Sequence, residues 1–232
     1  MAHILDNVIW QALTTRQTEF AEACGQARRF VQEVTALTAF AEDSEQGYAS
    51  LAELVGPQGT AALFLDAPYQ TRAGWDYLAG APMLEMAYEN GLPPKGKLKP
   101  VSGMVELGAQ DSAEMLELAT LTKPGPFGSR THELGSYVGI RSEGRLVAMA
   151  GERLKVPGYT EVSAVCTHPD HTGKGYARVL MTEIMQRIRE RGETPMLHVR
   201  ADNRRAIELY ERLGFRTRKQ MHFAVLRRAE SA

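Results

Sequence analysis

The chain has 232 residues, enough for one large domain or two small ones with a buried core. Its apolar content of 44%, charged content of 24% and formal net charge of -1 exclude any general pull toward nucleic acid or an anionic membrane. The two cysteines, Cys24 and Cys166, make neither a disulfide framework nor a zinc-ligand spacing, and no segment reaches the roughly 20 apolar residues of a membrane span, so no metal and a reducing cytosol are expected.

In chain order, Ile9 to Cys24 is predicted as a helix with Ile9, Leu13 and Phe20 on one side. Ala61 to Leu65, between Gly59 and Pro68, is predicted as a short strand. Leu92-Pro93-Pro94-Lys95-Gly96-Lys97-Leu98-Lys99-Pro100 suits neither helix nor central strand and reads as a linker. Two portions are expected on that basis: residues 1–99, an α/β portion with a supporting or lid role, and residues 100–232. In the second, Gly103 to Leu107 is a predicted strand, and a helix with Met115, Leu118 and Ala119 inward begins near Asp111 or Ser112. Lys123 to Gly128 must be a loop. Tyr137 to Arg141 and Arg145 to Glu152 form a hairpin around Ser142-Glu143-Gly144. Then follow a strand over Glu161 to Thr167, a helix over Gly175 to Arg191, a strand over Pro195 to Arg200 and a helix over Asn203 to Leu213 ended by Gly214. Phe215 to Arg216 and Met221 to Leu226 are extended. The result is a mixed α/β layer with an antiparallel meander at its centre.

Thr172-Gly173-Lys174-Gly175-Tyr176-Ala177 stands between a β-branched strand and an amphipathic helix. The free N–H groups of a helix start, its dipole and the access that glycine allows make an anion site. A tight turn that merely joins strand to helix explains the same residues, and Lys174 would add a charge-assisted contact only in the first case. Neither a P-loop nor a full three-glycine dinucleotide fingerprint is present, which weakens a nucleotide-binding reading.

Further on stand Leu197-His198-Val199-Arg200-Ala201-Asp202-Asn203 and then Ala206, Tyr210 and Gly214-Phe215. Together with Val165-Cys166-Thr167-His168-Pro169 and the glycine turn, this pattern resembles the GCN5-related N-acetyltransferase superfamily. Pro124-Gly125-Pro126-Phe127 and Ala148 to Arg153 resemble its FR47-like branch. The resemblance spans residues 100–232, an ordinary domain size. It implies the acyl-CoA N-acyltransferase fold: a largely antiparallel central sheet flanked by helices, here with the N-terminal α/β portion added. Thr172 departs from the family's Gln/Arg at the first position of the turn, which bears on grip but not on main-chain donors.

The resemblance also implies acetyl-CoA as cosubstrate, with an amine of a small molecule or peptide as acceptor. The strands at Ala164 to Thr167 and Leu197 to Val199 would splay apart with the pantetheine arm between them, lined by Val165, Cys166 and Thr167. Asn203 would bond near the arm, and the N–H groups from Gly173 through Arg178 would face the pyrophosphate, with Thr172, Lys174, Tyr176 and Ala177 in the same turn. Tyr210 would protonate the leaving thiolate, unless it is a core tyrosine. For the base, His198 and Glu161 are rivals, and a water chain is a third option. Cys166 is read as a small strand residue in preference to an acyl carrier. Arg141, Glu152 and Arg153 are either pocket residues or structural ion pairs. A non-catalytic acyl-CoA-binding module is the alternative to an enzyme.

Overall fold

The computed structural model describes residues 3–89 and 102–230, so the expected linker and the boundary at residues 99 and 100 lie outside them. Helix α1 (Val8–Thr14) buries Val8, Ile9, Ala12 and Leu13 and ends well before Cys24. Thr14 and Thr15 turn their hydroxyls back onto the carbonyls of Trp10 and Gln11, closing the last turn. Phe20, counted from its spacing as helical, packs against the same cluster from beyond the helix end. The residues expected to complete the helix instead form β1 (Ala21–Cys24), which turns at Gly25 (φ +47°) into β2 (Ala27–Phe30) and pairs through it with β3 (Thr38–Phe40).

Helix α2 (Glu45–Val55) starts at a Ser44 side chain that accepts from the Gly47 N–H at 3.1 Å, and stops at Gly56. Then come β4 (Thr60–Leu65), β5 (Trp75–Tyr88), β6 (Met104–Leu107), α3 (Ser112–Thr122), β7 (Tyr137–Ser142), β8 (Arg145–Val156) and β9 (Tyr159–Thr167). Helix α4 (Tyr176–Glu190), β10 (Thr194–Arg200), α5 (Arg204–Arg212) and β11 (Phe215–Arg228) complete the chain.

An eight-stranded sheet runs in the order β4-β11-β5-β10-β9-β8-β7-β6. Only β9 and β10 are parallel; every other pair is antiparallel. Sequence patterning misses β5, because Gly80 and Pro82 break its alternation and its first half is exposed. It also divides β11 in two, where a bulge between Thr217 and Lys219 carries the charged middle of one long strand. Strand β5 lies between β10 and β11, so elements from both sides of residue 99 share one sheet.

Helix α4 packs Leu180, Ile184 and Ile188 against a cluster that includes Ala148 and Ala150 of β8. Met149, between those two alanines, turns to the cluster beneath α3 with Ala164 and Cys166, as period-two alternation requires. Among the described residues no helix is long and apolar enough to cross a membrane.

Candidate active site

Strands β9 and β10 pair only at Thr194 with Tyr159, Pro195 with Thr160 and Met196 with Glu161. Beyond that point β10 stays on β5 as far as Arg200, while β9 stays on β8 as far as Thr167. The parting has a local cause. Ser163 lies opposite Gly151 and Cys166 opposite Met149, so β9 has one residue more than β8 between them, and Ala164 takes φ +53°. A left-handed alanine costs roughly 1–2 kcal/mol, and strain of this kind gathers where a strand must be re-aimed.

The gap between the parted strands is a cavity of about 660 Å³, with Val165, Cys166 and Thr167 on one wall and His198, Val199 and Arg200 on the other. A second cavity of about 430 Å³ lies against the glycine turn, and the two share Val165, Cys166, Thr167, Asn203, Arg205 and Tyr210. The structure therefore joins the turn, the parted strands and the α5 residues into one groove.

At the turn, Gly173 and Gly175 have φ of +79° and +78°, and a Cβ on either would meet nothing within 4 Å. Glycine is needed here for backbone conformation, and the surface above it is open. Gly175 immediately precedes α4, so the N–H groups of Tyr176, Ala177 and Arg178 have no intrahelical acceptor. The Thr172 hydroxyl donates to the Pro169 carbonyl at 3.1 Å and braces the turn from behind. His171, Lys174, Arg178, Arg205 and Arg212 line this part of the groove, and among the described residues no carboxylate does. The near-zero net charge of the whole chain hides this local excess. Arg205 and Arg212 were not singled out by the motif; their positions on α5, counted from Asn203, are the only signal.

Asn203 caps α5, its Oδ1 accepting from the Ala206 N–H at 3.2 Å. Tyr210 lines both cavities, edge-on to Phe215 with ring centroids 6.2 Å apart. Burial pushes its phenol up to about 12, so it carries its proton at neutral pH. Burial likewise raises the Cys166 thiol to about 11, which leaves it a neutral wall residue.

The two candidate bases meet in one buried unit. His198 Nδ1 lies 2.7 Å from Glu161 Oε1, and each side chain is 1% exposed. Glu161 also holds the Arg153 guanidinium with both oxygens, at 2.8 and 2.7 Å. On the other side of the ring, His198 Nε2 faces Glu85 Oε2 at 3.5 Å, neither atom having another partner among the described residues. Glu85 is bound in turn by Arg218, which reaches Asp6 at 2.7 Å, and Phe64 stacks on the imidazole at 4.4 Å. Burial would raise the Glu161 carboxyl, but Arg153 and then His198 outweigh it and hold the group far below the usual carboxylate range. Burial would lower the imidazole, and its contacts with Glu161 and Glu85 outweigh that and raise it. A second ring proton would give both Nε2 and Glu85 Oε2 a partner. Of the other charged strand residues, Arg141 binds Asp111 and Glu114, and Glu152 binds Lys155 and Arg191. Of Arg141, Glu152 and Arg153, the last alone lines the groove among the described residues. Among the described residues no cluster of His, Cys, Asp or Glu could hold a metal.

Two stability predictions follow from this unit. Glu161→Gln leaves Arg153 buried without its counter-charge and is expected to cost about 3–5 kcal/mol, read by denaturant unfolding. In pH dependence, Glu161 stabilises above its unfolded value of about 4.3 and loses this as pH falls through its lowered folded value; His198 stabilises fully below about 6.5 and loses this as pH rises through its raised one. The network's contribution is therefore greatest between about pH 4.3 and 6.5. Melting curves from pH 5 to 9 should show an alkaline decline in the wild type that His198→Gln lacks; parallel curves would contradict this assignment.

Comparison with known proteins adds four findings. The family model described as FR47-like protein matches residues 137–224. The N-alpha-acetyltransferase RimI of Mycobacterium tuberculosis is 35% identical over 123 residues, covering 50% of this chain and 77% of that protein. A solved structure from Novosphingobium aromaticivorans, described as an acetyltransferase of the GNAT family, is 36% identical, covers 100% of both chains and superposes with a TM-score of 0.89. A GCN5-related N-acetyltransferase from Kribbella flavida, 16% identical over 97% of both chains with a TM-score of 0.62, shares the fold.

Proposed function

The chain belongs to the GCN5-related N-acetyltransferase superfamily, in its FR47-like branch, and on that premise we propose that it transfers the acetyl group of acetyl-CoA directly to an amine. Membership makes it an acyltransferase; cosubstrate, acceptor and residue roles are our reading. The observation that carries this reading is the continuous groove from the glycine turn to the parted strands, with Tyr210 at the join.

The pyrophosphate takes the N–H groups at the start of α4, with Lys174, Arg178 and Arg205 around it. The pantetheine arm lies in the gap, using main-chain groups of Val165 to Thr167 that β10 leaves unpaired, as an added strand would. Asn203 stands at the mouth of the gap, and Thr172 braces the turn through Pro169. The amine nitrogen attacks the thioester carbonyl carbon and forms the C–N bond. The C–S bond then breaks, and the thiolate takes the Tyr210 proton. The proton shed by the amine passes to a chain of cleft water, because both ring nitrogens of His198 face buried carboxylates, and activity rises with pH as the neutral amine becomes available.

Replacing Tyr210 by Phe removes one hydroxyl from a packed ring. It is expected to lower kcat about 100-fold while KM for acetyl-CoA stays within about threefold. The check is CoA release from acetyl-CoA with a panel of amines. Tight acetyl-CoA binding with no transfer to any amine would favour a non-catalytic acyl-CoA-binding module instead.

A further inference from the structure

The acceptor half of the groove has a charge pattern that the transfer chemistry alone does not require. Arg153 reaches it from β8 with a side chain only 7% exposed. Its Nε and Nη2 are spent on Glu161, and Nη1 makes no hydrogen bond among the described residues. That nitrogen points under the loop at Gly125, where an added Cβ would lie 3.7 Å from it with no other atom within 4 Å. A guanidinium buried to this degree, with one edge pinned and the other open to a cavity, is a preorganised donor pair. Lys123, exposed at the end of α3, lines the same cavity from above and has no ion-pair partner among the described residues.

Among the described residues no aspartate or glutamate lines this cavity. The carboxylates behind its wall are already taken: Glu161 by Arg153 and His198, Glu85 by Arg218. An acceptor ammonium would thus find no counter-charge, whereas an acceptor anion would find Arg153 Nη1 and Lys123. Such surroundings also favour the neutral, nucleophilic form of the amine.

We infer that the acceptor is an amino-acid-type amine whose free carboxylate is bound by Arg153 Nη1, with Lys123 closing over it. This rests on the proposed transfer reaction and narrows its acceptor: a peptide N-terminus, whose neighbouring carbonyl is an uncharged amide, is the poorer substrate.

The experiment uses the full chain with saturating acetyl-CoA and glycine, phenylalanine and β-alanine, each against its carboxamide. Rates are corrected for the fraction of neutral amine, and binding of each compound to the CoA-loaded protein is measured by calorimetry. The acids should exceed their amides in kcat/KM by at least about tenfold. Lys123→Ala should cut that ratio severalfold, and Arg153→Met should abolish it, both with CoA affinity unchanged. Should Arg153→Met fail to fold, the wild-type ratio and Lys123→Ala still decide. Turnover of amides as fast as acids would overturn the inference and leave acetyl transfer standing. Binding of acids in preference to amides without turnover would do the reverse. Neither binding nor turnover of any of the six would sink both.

Discussion

A fragment spanning residues 100–232 is expected not to fold. Family resemblance covers that span, yet the strand that lies between β10 and β11 comes from residues 75–88. Without β5, β11 loses its ladder from Phe215 to Arg228, and β10 loses its ladder from Met196 to Arg200. Met86 and Tyr88 would leave the cluster beneath α4, and Arg218 would lose the fully buried Glu85. Burial of a Met or Tyr side chain is worth about 1.5–3 kcal/mol, and a broken buried ion pair costs about 3–5 kcal/mol. Two exposed strand edges add to that. The sum consumes most of the roughly 5–15 kcal/mol that stabilises a typical domain. Circular dichroism should show no cooperative melting for the fragment. A folded fragment that binds CoA as the full chain does would make residues 1–99 a separate unit after all.

Gly175→Asp is expected to weaken CoA binding more than about 100-fold without unfolding the protein. A Cβ at this position meets nothing, so the fold has room; the cost is the left-handed φ of +78°, roughly 1–2 kcal/mol for a residue other than glycine. The ligand has no such room. The side chain would stand over the N–H groups of Tyr176 to Arg178 and place a negative charge where the pyrophosphate must come closest. Gly175→Ala is the control, since it carries the same backbone strain without the charge and should lose far less affinity. Calorimetry on both variants, with thermal melts to establish folding, checks the pair. Unchanged affinity in a folded Gly175→Asp protein would remove the turn from the site.

The two halves of the chain were unequally legible. From Gly103 onward, apolar spacing and glycine punctuation locate the strand Tyr159–Thr167 and the helices Tyr176–Glu190 and Arg204–Arg212 within a residue or two of their ends. Upstream, the α/β character, the start of the helix at Ile9 and the strand over Ala61 to Leu65 are read correctly, while the helix's end is not. There the helix pattern of Ile9 and Leu13 runs on to Phe20, because a residue beyond a helix end can pack on the same cluster. Strand β5 leaves no period-two trace, since half of it is exposed and its burial is decided by β10 and β11, far away in sequence.

The candidate site divides in the same way. The glycine turn, Asn203 and Tyr210 are legible because main-chain geometry and capping leave local signatures. The parting of β9 from β10 is expected only through the family resemblance, because locally it depends on one extra residue at Ala164, an alanine with nothing unusual in its neighbourhood. His198 and Glu161, separate in sequence, look like rivals until pairing of the two strands brings them within 2.7 Å. Glu85 and Arg218 carry no motif at all, and only the sheet order brings them to the same ring.

Whether acetyl-CoA occupies the groove from the start of α4 to the gap between β9 and β10 can be read from backbone amide shifts during a CoA titration. Saturable changes should be largest at Gly173 to Arg178 and at Val165 to Thr167, with a separate cavity of about 570 Å³, lined by Tyr48, Arg72 and Trp75, unaffected. Saturation with those amides unmoved, or with the largest changes elsewhere, would contradict that occupancy.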